Sequence, residues 1–304
     1  MDIALLWIPA TLIASAGQVA RNTMQRRLTD KIGTLGATQV RFLYGFPFSL
    51  LFLLGVLLAT GEVVPRPDAG FAGFLVFGAV SQVGATALML AAMRLRSFSV
   101  VTALIKTEPI LIALFGLLLL GDRLSATAAT AVGLATAGVA LVSWTPKLGH
   151  DATHGGGLKA VALGLLAAGG FALSAVGFRG AILALDSGSF LMRATTTLAW
   201  SLFLQTVLLG GWLALFARTA LTGSFREWRG SVAAGFVGAA ASQFWFIGFA
   251  LTAAANVRTL ALVEVLLAQA VSRRIFSQAI TRREIAGMAL IVVGVLALLL
   301  AHRD

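Results

Sequence analysis

The sequence predicts an all-α polytopic membrane protein with ten transmembrane helices in two inverted five-helix repeats. Three observations carry that prediction. First, the 304 residues are 59% hydrophobic and only 12% charged, against roughly 45–50% and 25% in soluble domains. A single soluble core cannot hide so much apolar surface, and disorder needs the opposite composition. Second, a ruler of about 20 apolar residues, the length that crosses a bilayer, finds ten segments. Third, rare polar landmarks of the first half recur in the second.

The ten segments are about 3–25, 34–59, 70–93, 98–120, 124–145, 157–181, 187–217, 231–252, 256–276 and 281–301. The ends of the first, sixth and seventh are the least sharply drawn, because Arg21, Arg179 and Arg193 fall inside or beside them. The N-terminus offers only Asp2 where a secretory signal wants basic residues, so the first segment reads as a retained helix. No polar run is long enough for a soluble domain. The polar, glycine-rich stretch 147–156 reads as a flexible linker. It divides the chain into a first repeat, 1–146, and a second, 157–304.

The net charge is +11. In a soluble protein that would suggest nucleic acid or acidic lipid as a partner. Here most basic residues sit in short loops, so they read as topology signals and nucleic acid is not expected. Loops one, three, five, seven and nine hold Arg26, Arg27 and Lys31; Arg94 and Arg96; Lys147 and Lys159; Arg218, Arg226 and Arg229; and Arg273, Arg274, Arg282 and Arg283. The other side holds Arg66, Arg123, Arg258 and Arg303. The positive-inside rule then puts the odd loops in the cytoplasm and both termini outside.

There are no cysteines, which excludes disulfides, thiolate metal sites and thiol nucleophiles. The three histidines, His150, His154 and His302, fall in the linker or the tail. No metal-ligand cluster, Ser–His pair, two-carboxylate motif or phosphate loop stands out. Neither an enzyme, a metal nor a cofactor is expected.

The repeat rests on matched spacings. A shift of 156 takes Gly121-Asp122-Arg123-Leu124-Ser125 to Ser277-Gln278-Ala279-Ile280-Thr281, Glu108 to Glu264 and Gly138-Val139 to Gly294-Val295. Ser81-Gln82 matches Ser242-Gln243 at a shift of 161, and Arg41 with Ser49-Leu50 matches Arg193 with Ser201-Leu202 at 152. Five is an odd number of helices, so the second copy enters the membrane upside down. Inverted repeats are the architecture of alternating-access transporters, with the substrate near the midplane.

Ionisable groups at membrane depth cost about 2.5–3.5 kcal/mol each on insertion scales. Glu108 and Glu264, near the middle of the fourth and ninth spans, are therefore candidates for coupling or gating. The structural alternative for each is a neutral or paired carboxyl that fixes packing. Lys106 lies about 200° round the helix from Glu108, so the two cannot face one another, and Glu264 could pair with either. Lys106 would receive a substrate carboxylate or form a structural ion pair. Pro109 bends the fourth helix beside Glu108. In the first helix Gln18 and Asn22 share a polar stripe with Ser15 and Gln25, whereas Arg21 reads as interfacial. Gln82 and Gln243 would bind a polar ligand or glue helices together. Trp245 and Phe171 would wall a substrate side chain. Arg41 and Arg193 would snorkel, pair with acids or gate. Small residues at Ala131, Ala135, Gly138, Gly287 and Gly294 allow the fifth and tenth helices to pack the halves, or a dimer, together.

One set of motifs resembles a known family. Ala92-Met93-Arg94-Leu95, Thr107-Glu108-Pro109, Gly121-Asp122-Arg123-Leu124 and the glycine-rich helix through Gly138 are similar to those of EamA-type members of the drug/metabolite transporter superfamily. The family pattern reads Ala-Leu-Lys-Tyr, a Glu-Pro pair and Gly-Glu-Arg-Leu. The second copy departs from it: Val265 follows Glu264, and Ser277-Gln278 replaces Gly-Glu. The resemblance implies ten helices and export of amino acids or other metabolites. It also implies cytoplasmic termini, against the charge count.

The reading that follows is a secondary active transporter of the bacterial-type inner membrane. It would export a small polar or amphipathic metabolite, an amino acid or derivative foremost, by alternating access, with protons as the candidate coupling ion. The expected partners are that small-molecule substrate and membrane lipid, with the protein a monomer or a homodimer. The alternatives are a lipid or lipid-precursor flippase and a non-transporting membrane scaffold.

Overall fold

The computed structural model describes residues 3–95, 101, 104–143, 157–266 and 281–301. The side chain of Asn22, the linker 147–156 and the end of the ninth expected span lie outside the described residues. All regular structure among them is helical: α1 (Trp7–Leu43), α2 (Gly45–Thr60), α3 (Ala69–Leu95), α4 (Glu108–Leu120), α5 (Ala126–Ser143), α6 (Gly157–Ala184), α7 (Phe190–Phe216), α8 (Arg218–Arg226), α9 (Trp228–Leu251), α10 (Ala254–Leu260) and α11 (Arg282–Leu300).

Among the described residues six stretches are long and apolar enough to cross a membrane: Arg27–Thr60, Ala69–Leu95, Leu158–Ala184, Phe190–Phe216, Trp228–Leu251 and Arg282–Leu300. Glu108–Leu120 and Ala126–Val142 are apolar but shorter. Ten continuous spans were expected, and the differences have local causes. The first expected span carries Ser15, Gln18, Arg21, Asn22 and Gln25, which lower its hydropathy. The fourth is interrupted at Lys106-Thr107, and the ninth at Ala261-Leu262.

The first two spans are separated inside α1. Gly33 breaks the helix at φ 72, ψ 170, a conformation open essentially to glycine alone. The two segments then pack on each other, with Leu28, Ala37 and Val40 in one buried cluster. Gln25 Nε2 donates to the Ala37 carbonyl across the break at 3.0 Å.

The residues divide into two compact units, each drawing on both halves of the sequence: Met1–Val83 with Gly177–Thr252, and Gly84–Val176 with Ala253–Asp304. In the first unit α1 packs on α9, α2 on α7, and α8 on α1. Glycines permit close approach in this unit: a Cβ on Gly235 of α9 would fall 2.7 Å from the Tyr44 backbone, and one on Gly177 of α6 2.7 Å from Gly78 Cα of α3. Loops are tied as well. Lys31 pairs with Glu227 at 2.8 Å, and the Ser189 N–H donates to Glu62 at 2.6 Å. Loop one therefore shares a membrane face with loop seven, and loop two with loop six.

In the second unit α5 packs on α11 and α10 on α4. Both helices of the first pair begin with a hydroxyl that accepts from a backbone N–H three residues on: Ser125 Oγ accepts from the Ala128 N–H, and Thr281 caps α11 in a reciprocal capping box with Glu284. Gly121 closes α4 in the left-handed region, at φ 68, where glycine avoids the Cβ clash.

Candidate functional site

Two apolar segments of the second unit are interrupted by turns, one at Lys106-Thr107 and one at Ala261-Leu262. Before α4, the Thr107 N–H and hydroxyl both donate to the Leu104 carbonyl, at 3.2 and 2.8 Å. After α10, Leu262, Glu264 and Val265 close successive tight turns onto Thr259, Ala261 and Leu262. Such i→i+3 turns replace α-helical geometry where the chain must depart from a straight axis. Pro109 stands at the start of α4, where its missing N–H costs nothing. It starts a helix here, rather than bending a continuous one as the sequence suggested.

Four charged side chains meet at these interruptions. Arg258 of α10 donates to Glu108 through Nε at 3.1 Å and through Nη2 to both carboxylate oxygens, at 2.8 and 3.1 Å. Lys106, in the turn before α4, forms an ion pair with Glu264. Both carboxylates are buried, at 7% and 8% exposure. The two pairs are reciprocal: each half of the sequence supplies the acid for one and the base for the other. They differ in geometry. The guanidinium grips both oxygens of Glu108, the strong arrangement. The ammonium meets only Oε1 of Glu264, and Oε2 is buried without a hydrogen-bond partner.

Arg258 was not singled out from sequence; the loop count set it on the outer side. The structure places it in α10, paired with Glu108. Its position two residues into the ninth span, with an unmatched Glu108 in the fourth, was the available signal.

In the first unit the polar candidates converge on α7. Gln243 Nε2 donates to Thr195 Oγ1 at 2.8 Å, while its Oε1 is buried without a hydrogen-bond partner. Gln205 Nε2 donates to Gln82 Oε1. Thr195 and Gln205 lie ten residues apart on α7, about 15 Å along its axis. Gln82 and Gln243 therefore engage one helix at different depths. Thr195 and Gln205 were missed from sequence, although a glutamine inside an apolar span is a readable signal.

Trp245 is buried and stacked on Phe249, with centroids 6.5 Å apart. Phe246 meets Phe178 at 5.2 Å. Phe171 is half-buried on α6, in the second unit, and Gln18 is half-buried on α1. Arg21 is buried, at 6% exposure, with its stem against Gly238 beside that of Arg41. Arg21, expected at an interface, stands within α1, which continues past residue 25, and its side chain is packed among neighbouring helices. Arg41 also lies over the Phe42 ring at 5.4 Å. Arg193 is half-buried on the first turn of α7.

The class these features define is a helical membrane protein with buried charged pairs where its apolar helices are interrupted. Residues 5–144 match the model of the EamA-like transporter family, which bears out the resemblance seen in the motifs and points to a transporter of the drug/metabolite type. A solved structure described as "Crystal structure of protein" is similar over 99% of both chains, with a TM-score of 0.69 at 17% identity. That likeness concerns the fold. The sequence matches no curated protein.

Proposed function

We propose that this chain is a secondary active transporter that exports a small polar or amphipathic metabolite across the inner membrane by alternating access. An amino acid or derivative is the foremost substrate class, and Glu264 couples export to proton entry. The observation that carries this reading is the single-point Lys106–Glu264 pair at the interruption of two apolar helices. Discontinuous helices with exposed backbone groups are where transporters of inverted-repeat design hold substrate and coupling ion.

The chemistry follows from charge balance. A substrate that bears both charges opens the Lys106–Glu264 pair, its amino group meeting the ionised carboxylate and its carboxylate the freed ammonium. A proton arriving from outside neutralises Glu264 and expels the substrate, and release of that proton to the inside restores the pair. Glu108, gripped by Arg258, holds α4 against α10 while this exchange occurs. Gln18, Asn22, Gln82, Gln243, Trp245 and Phe171 are the remaining proposed substrate contacts, and Pro109, Arg41 and Arg193 complete the gating group. Proteoliposome counterflow with a panel of amino acids and derivatives tests the reading. Saturable exchange with an inward proton gradient accelerating efflux supports it. Absence of solute exchange, with or without lipid scrambling, overturns it.

A further inference from the structure

The short helix α8 has a role that transport does not use. It joins α7 to α9, and α7 is 27 residues long, about 40 Å, which exceeds a hydrocarbon core of about 30 Å. The end of α7 and all of α8 therefore lie at a membrane surface. The inner face of α8 is fixed. Ser224 is buried and its Oγ donates to the Gly36 carbonyl at 3.2 Å, while Tyr44 Oη donates to the Ser224 carbonyl at 3.1 Å. Gly36 lets the helix settle, since a Cβ there would sit 3.0 Å from the Ala220 carbonyl oxygen.

The outer face is charged and aromatic. Arg226 and Arg229 are exposed. Phe225 and Trp228 are 55% and 54% exposed, and the Arg229 guanidinium lies 5.5 Å from the Trp228 ring centroid. The nearby carboxylate, Glu227, is matched by Lys31. A surface-lying helix with basic residues beside exposed aromatics suits the boundary between headgroup and acyl chain. A soluble acidic protein would meet the arginines but leave the rings in water.

We propose that α8 and the turn into α9 form a binding site for the headgroup of an anionic phospholipid. Arg226 and Arg229 take the phosphate, and Phe225 and Trp228 rest against the glycerol and upper acyl chain. The site makes no use of the substrate path, so it stands or falls independently of the transport reading.

Native mass spectrometry of the full chain with phosphatidylglycerol and phosphatidylcholine of matched acyl chains tests it. The wild type is expected to retain phosphatidylglycerol about 30-fold more strongly at low salt, the effect of two surface charges. R226Q/R229Q is expected to reduce that preference to a few-fold, while R66Q in the opposite loop keeps it. Lipid brominated near the top of the chain is expected to quench tryptophan fluorescence in the wild type, and less in W228F. Equal retention of the two lipids, a preference that survives in R226Q/R229Q, or displacement by soluble glycerol phosphate as effective as by vesicles would overturn the proposal.

Discussion

Arg258 and Glu108 lie 150 residues apart in the chain and share three donor–acceptor contacts of 2.8–3.1 Å. The pair ties the start of α4 to α10, so the first half of the sequence is clamped to the second at an interruption in each helix. Removing one member of such a pair leaves a buried charge uncompensated, at about 3–5 kcal/mol. R258M and E108M are each expected to lower the unfolding temperature in detergent markedly. The double variant R258M/E108M is expected to recover much of the loss. Simple additivity of the two losses would show that the residues do not act as a pair.

The second pair predicts a functional split. E264Q keeps the shape of the side chain and removes its charge and its titration. Proton-driven efflux per folded protein is expected to fall roughly 5- to 150-fold, the ordinary span of coupling free energies, and its pH dependence to flatten, with a lower unfolding temperature because Lys106 loses its partner. A pH profile in E264Q that overlays the wild type would take Glu264 out of coupling.

Helix contact in the second unit can be tested by volume. A Cβ on Gly138 would fall 2.6 Å from the Gly287 carbonyl oxygen, and one on Gly294 2.7 Å from the Ala135 nitrogen. G138V should therefore cost about 1–3 kcal/mol through overpacking. Gly133, on the same helix with nothing within 4 Å, should accept alanine without loss. Thermal melts of the two variants side by side make the comparison.

The hydrogen bonds onto α7 separate glue from binding. If Gln243 serves substrate, Q243A raises the apparent KM, and T195V, which removes only its protein partner, alters KM less. A pure packing role predicts the same modest destabilisation, about 0.6–2 kcal/mol, with wild-type kinetics for both. Transport kinetics paired with melting curves tell the two apart.

Topology is accessible because the chain has no cysteine. Single cysteines at Arg226 and Glu62 are expected to label from opposite sides of right-side-out vesicles, with Glu62 reached from outside. Labelling of Arg226 from outside would reverse the orientation taken from loop charge.

Composition and apolar run length were enough to make this a helical membrane protein, because a bilayer-crossing helix must be written locally as some twenty apolar residues. The motif around Glu108-Pro109 was enough to point to the transporter family. The close-packing small residues of α5 and α11, Gly138, Gly287 and Gly294 among them, were also legible, since their spacing is local. Tertiary structure decided the rest. It paired Glu108 with Arg258 and Glu264 with Lys106, buried Arg21, and put Gln82 and Gln243 at separate levels of α7. It also interrupted the fourth and ninth expected spans at Lys106-Thr107 and Ala261-Leu262. These outcomes turn on which distant charge or hydroxyl reaches a buried polar group. The cost of leaving such a group unmatched is fixed by its surroundings in space, which spacing along the chain does not record.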